Sequence, residues 1–90
     1  MTEKTIKAYR KLKETQPDRI LLIRCGNVYE CYNEDAKKVG AILVLPVSDV
    51  KDETYIDIQN MVSIPEAELQ NTLYQLILSG VKIGVCDNFK

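Results

Sequence analysis

Leu22-Ile23-Arg24-Cys25-Gly26-Asn27-Val28-Tyr29-Glu30-Cys31-Tyr32-Asn33-Glu34-Asp35-Ala36-Lys37-Lys38 is the stretch on which the fold turns. An aliphatic strand, a two-residue turn, a return strand and the start of a helix follow one another with no spare residues. Gly26-Asn27 is a hairpin signal, because glycine supplies the positive φ needed at the first central position of a tight turn. Side chains alternate across a strand, so Val28, Glu30 and Tyr32 share one face while Tyr29 and Cys31 share the other. The expected result is a hairpin that pushes a short apolar side chain and a carboxylate outward, just past its tip. Asn33 then reads as a helix cap, with Glu34 and Asp35 in the first turn and Lys37 and Lys38 in the last.

Upstream, residues 4–15 read as a helix in which Ile6, Tyr9 and Leu12 recur on one side, and Pro17 stops it. Its other side carries Lys4, Lys7, Arg10, Lys11 and Lys13, the densest basic group in the chain. Two readings stand for it: a solvated helix face, or a contact with nucleic-acid backbone. Arg19 to Cys25 forms the strand that enters the hairpin.

Downstream, the second helix ends at Gly40 or runs a turn further, before a strand near Leu43 to Val47. Ser48 to Thr54 is polar and is expected to be the most mobile loop. Tyr55 to Ile64 alternates as a strand that places Ile56, Ile58, Val62 and Ile64 on one face. Ser63 and Glu66 have capping-box spacing, with Pro65 in the first helical turn. Leu69, Leu73, Leu76 and Ile77 then follow the i, i+4, i+7, i+8 pattern of a helix packed on a sheet. Gly80 closes that helix, and Val81 to Cys86 is a final strand. The fold class is therefore α/β in the α+β sense. It has a single mixed sheet of about five strands and three packed helices, in one domain over residues 1–90.

Composition narrows the function. The chain is 46% hydrophobic and 28% charged, as a folded domain should be, with a net charge of −1. Residues 1–45 hold nine bases and six acids, against three bases and seven acids in residues 46–90. That asymmetry orients a weak contact with a polyanion, without the footprint of a tight autonomous DNA binder. With no histidine, no glycine-rich phosphate loop and no CxxC pair, an enzyme is not expected. No metal or other cofactor is expected either. Cys25, Cys31 and Cys86 read as small reduced hydrophobes inside strands. No apolar run is long enough to span a bilayer and no secretory signal is visible, so the expected location is cytoplasmic.

The hairpin segment resembles the N-terminal mismatch-recognition domain of MutS-type DNA mismatch-repair proteins, whose loose pattern there is R-x-G-D-F-Y-E-x-F-x-x-D-A. The basic stretch Tyr9-Arg10-Lys11-Leu12-Lys13 is similar too. So is a second block comprising Ile64-Pro65, the helix with Leu69 and Leu73, Gly80 and the strand ending Val85-Cys86-Asp87. The resemblance covers nearly the whole chain and is weakest over residues 44–58. It implies a non-catalytic module that binds double-stranded DNA, mismatched or deformable, with weak affinity. In the family a phenylalanine wedges beside the mispaired base while a glutamate hydrogen-bonds it. The glutamate corresponds to Glu30 and the wedge position holds Val28. Asn27 replaces the aspartate, and the histidine after Ile-Pro has no counterpart.

The nucleic-acid-binding candidates are thus Val28, Glu30, Asn27, Arg24, Arg10 and Lys11. The replacement of the aromatic wedge by Val28 implies weakened or lost mismatch specificity. For Glu30 the alternative is exposure to water or an ion pair with Arg24 across the hairpin; for Val28 it is an ordinary strand position. Tyr29 and Tyr32 are expected to pack with wet hydroxyls. The family's clamp and ATPase domains do not fit in ninety residues, which leaves open a protein partner that supplies them. The alternative function is a protein–protein interaction or accessory domain that kept the fold and lost DNA binding.

Overall fold

The computed structural model describes residues 1–87. Helix α1 (Glu3–Thr15) opens on a reciprocal cap, Thr2 and Thr5 each bonding the other's backbone. The hairpin follows as β1 (Ile20–Cys25) and β2 (Val28–Tyr32), paired antiparallel with Cys25 opposite Val28 and Ile23 opposite Glu30. Gly26 sits at φ 65°, the left-handed backbone that the turn requires and that a β-carbon disfavours. Helix α2 (Asn33–Leu43) leads through an irregular stretch to the short strand β3 (Ser48–Asp49). A 3₁₀ turn at Glu53–Tyr55 precedes β4 (Asn60–Pro65), and a second at Glu66–Glu68 precedes α3 (Leu69–Leu78). Strand β5 (Ile83–Cys86) pairs parallel with β1, giving one mixed sheet in the order β3-β4-β2-β1-β5.

Each face of the sheet has its own core. On one side Ile20, Leu22, Tyr29, Cys31, Val62 and Ile64 meet Ala36 and Val39 of α2 and Leu76 of α3. On the other, Leu21, Ile23, Tyr32 and Ile58 meet Ile6 and Tyr9 of α1. Tyr9 and Tyr32 pack edge to face there, with centroids 5.1 Å apart. The sequence alternation of β1 and β2 is what allots residues to the two cores.

Several local expectations change. Asn33 does not cap α2: its φ is 55°, and Tyr32 holds the cap position without a side-chain bond. The Asn33 amide instead donates to the Asp57 carbonyl and accepts from the Gln59 N–H, both at 2.8 Å, which ties down the loop before β4. Gly40 does not end α2. A β-carbon there would meet Val47 Cγ2 at 2.6 Å, so glycine lets the returning chain cross the helix, which runs on to Leu43. Val44 then takes the left-handed cap at φ 55°, and no strand forms over residues 43–47.

The strand foreseen over Tyr55–Ile64 begins only at Asn60, which leaves Ile56 exposed. Ser63 lies within β4 rather than in a capping box, and α3 starts at Leu69 after Glu68. Ile77 faces solvent instead of the sheet. These misreadings share a cause: the middle of the chain is built from short turns whose geometry comes from distant contacts rather than from local periodicity.

Candidate nucleic-acid interface

The hairpin tip consists of exposed Gly26 and Asn27, with Val28 half-buried beside them. The tip is braced from behind, because the Glu66 N–H donates to the Asn27 carbonyl at 2.9 Å. Arg24 braces it further through its Nε bond to the Gly26 carbonyl (3.1 Å) and its ion pair with Glu66 (2.7 Å), while its guanidinium lies over the Tyr29 ring. Arg24 pairs in register with Tyr29, whereas Ile23 pairs with Glu30, so Arg24 and Glu30 leave opposite faces of the sheet.

Glu30 shares the Val28 side, yet it is only 4% exposed, and this corrects the picture of a carboxylate projecting outward. Neither solvent nor Arg24 is its partner. One oxygen accepts from the Met1 amine at 2.9 Å and the other from the Tyr32 hydroxyl at 2.7 Å. Both partners satisfy a charge whose burial would otherwise be strongly unfavourable. The Tyr32 hydroxyl is correspondingly dry rather than wet. Burial, reinforced by the Glu30 carboxylate it bonds, raises its pKa above the ordinary phenol value. The Met1 amine is also shifted: desolvation lowers its pKa, but bonding and attraction to Glu30 outweigh that and leave it raised.

The basic residues of α1 are spread along the helix and mostly engaged. Lys7 pairs with Glu3, and Arg10 forks onto the Asp57 carboxylate with Nε at 2.8 Å. That bond raises the Arg10 pKa and lowers that of Asp57. Lys13 is committed to structure: its amine contacts both oxygens of buried Asp35, at 2.8 and 3.0 Å, and the Arg19 carbonyl. The second Asp35 oxygen also accepts the Leu21 N–H, so this acid locks α1, β1 and α2 together. Its place in the first turn of α2 does not reveal that role.

Lys4 and Lys11 are exposed and carry no ion pair among the described residues. Met1 lies beside the hairpin, while Lys13 lies at the opposite end of β1. Lys4 is consequently nearer the tip than Arg10 or Lys11, which sit two helical turns further on. The structure thus brings Asn27 and Val28 together at the tip, puts Glu30 beneath Met1, and leaves Arg10 and Lys11 apart from all three. The Met1 amine was missed from sequence, since nothing local connects residue 1 with residue 30.

Cys31 is buried, and desolvation pushes its thiol up to about 12; Cys25 and Cys86 are half-buried, and all three are free. Among the described residues no helix is long and apolar enough to cross a membrane.

Fold and site together define an α+β domain that presents a braced hairpin over a buried acid. Comparison with known proteins assigns it further: the model for MutS domain I matches residues 3–90, and the chain belongs to that family. It is 38% identical over 85 residues to the DNA mismatch repair protein MutS of Petrotoga mobilis, covering 94% of this chain and 10% of that protein. The MutS of Salinibacter ruber is 33% identical over 82 residues, covering 91% of this chain and 9% of its own length. The MutS of Thermotoga neapolitana is 35% identical over 82 residues, with 91% and 10% covered. The chain therefore spans about a tenth of the length of the relatives it matches.

Proposed function

We propose that this domain is a non-catalytic DNA-binding module of the mismatch-recognition type, with weak affinity and little mismatch specificity. The observation that carries this reading is the family match running through a two-residue hairpin whose exposed tip is braced from behind by Arg24 and Glu66. A braced loop enters a groove without a large ordering cost. Asn27 and Val28 reach the duplex first, and Lys4 and Lys11 offer cations to the backbone, with Arg10 joining only by leaving Asp57. Phosphate contacts of this kind position a protein without reading sequence.

Val28 has no aromatic face, so stacking worth roughly 1–3 kcal/mol per base is absent. Glu30 reaches a base only after releasing Met1 and Tyr32. Both features favour sensing of deformable duplex over discrimination of bases.

Fluorescence anisotropy with perfect, G·T-mismatched and looped duplexes tests the reading. Binding that weakens steeply as salt rises from about 50 to about 200 mM, with similar affinity for all three duplexes, is the expected result. No binding at the lower salt, with protein at hundreds of micromolar, sinks it. A second reading, an interaction domain that retains the fold without DNA binding, is favoured by the engagement of Glu30 with Met1 and Tyr32. Val28→Phe separates the two: a gained preference for the mismatch supports the DNA module.

A further inference from the structure

The outer face of α3 is unlike the rest of the surface. Leu69, Thr72, Leu73 and Leu76 point to the core, and the opposite side of the same helix carries Tyr74, Ile77 and Leu78 at 63%, 65% and 68% exposure. No charged residue occurs between Leu69 and Val81, in a chain that is 28% charged overall. Depletion of charge with a central aromatic is the composition of a protein interface core. A nucleic-acid face would need cations, and a membrane-surface helix would need lysine or arginine on its polar side.

We infer that the α3 face is a self-association surface, on which α3 of a second copy of this chain packs antiparallel. The charges at its two ends carry the choice of partner. Glu68 precedes the helix, beyond the Glu66 that Arg24 engages, and Lys82 follows it with only an exposed contact to Asp18. An antiparallel, two-fold arrangement turns the acidic end of one copy toward the lysine end of the other, and the uncharged centre meets itself without like-charge opposition. Three exposed apolar side chains and the flanking Gln70 and Asn71 provide less than the roughly 800 Å² per partner of a standard interface. The dimer is accordingly weak, with a dissociation constant on the order of 10–100 μM.

This inference does not depend on the DNA reading. Tyr74, Ile77 and Leu78 lie two or more helical turns beyond Glu66, the residue that braces the tip.

Sedimentation equilibrium of the full chain from about 10 μM to about 1 mM tests it. The expected result is an average mass that climbs from the 10.3 kDa monomer toward twice that value, with amide chemical-shift changes confined to α3 and its flanks. Ile77→Glu, at an exposed position, should keep the native circular dichroism and remain monomeric at the top concentration. A monomeric parent at about 1 mM overturns the proposal and assigns the face to some other protein. Self-association undiminished in Ile77→Glu, or shift changes centred on the hairpin, overturns it equally.

Discussion

The two faces of the sheet are held by different physics. On the α2–α3 side the core is aliphatic and aromatic, and Thr72 is the buried polar side chain contributed by α3. On the α1 side Thr5, Glu30 and Asp35 are all buried, and each has hydrogen-bonded partners. An apolar core depends on shape, whereas buried carboxylates depend on every partner staying in place. The α1 side is therefore where any rearrangement that frees Glu30 acts on this molecule.

The sharpest way to break that contrast is to remove one group from each side. Asp35→Ala orphans the Leu21 N–H and strands Lys13, and should destabilise the chain by about 4 kcal/mol in urea unfolding. Leu76→Ala removes apolar volume alone and should destabilise by about 3 kcal/mol. Measured at pH 5 to 8, the Leu76 effect should stay constant; a strong pH dependence there would erase the distinction between the faces. Asn33→Ala deletes both bonds to the loop backbone at a position with positive φ, for an expected loss of about 2 kcal/mol. Faster hydrogen exchange should then appear around residues 57–59, and its absence would show that another contact fixes the loop.

Titration sharpens the comparison next. Met1, Tyr9, Cys31 and Tyr32 all have raised pKa values, so the native state holds these protons more tightly than the unfolded chain does. Their contribution is fully present below the unfolded values and is lost as pH climbs through the folded ones. Stability should thus fall above about pH 8, and Cys31 alone, shifted from 9.0 to about 12, should account for roughly 1 kcal/mol by pH 10. Urea midpoints that stay flat from pH 8 to 10 would contradict this, and Cys31→Ala should shallow the slope. The smallest effect has the opposite sign. Val44 is 88% exposed in left-handed backbone, so Val44→Gly relieves strain at no cost in burial and should raise stability by about 1 kcal/mol in the same assay.

How much of this is legible in the residues varies along the chain. The hairpin is local: alternation and Gly26 define it, and the paired register agrees. α1 is legible because Ile6, Tyr9 and Leu12 repeat and Pro17 follows. The middle is not, because Asn33 looks like a cap until the Asp57–Gln59 backbone arrives to claim its amide. Glu30 and Asp35 are the clearest cases at the candidate site. Their spacing in sequence assigns a strand face and a helix start, while their partners lie 29 and 22 residues away.

The amino-acid sequence by itself determined the tight turn at Gly26-Asn27, the two strands that flank it and the split of their side chains between two sheet faces, and its motifs carried the family resemblance. The turn, its strands and their alternation follow from local backbone preference and a period of 2, which need no distant partner. Only the tertiary structure decided that Glu30 lies under Met1, that Lys13 serves Asp35 rather than a phosphate, and that Tyr74, Ile77 and Leu78 are left uncovered. Burial and pairing of charges depend on which segments meet in space, and that information is carried by the whole packed chain rather than by any stretch of it.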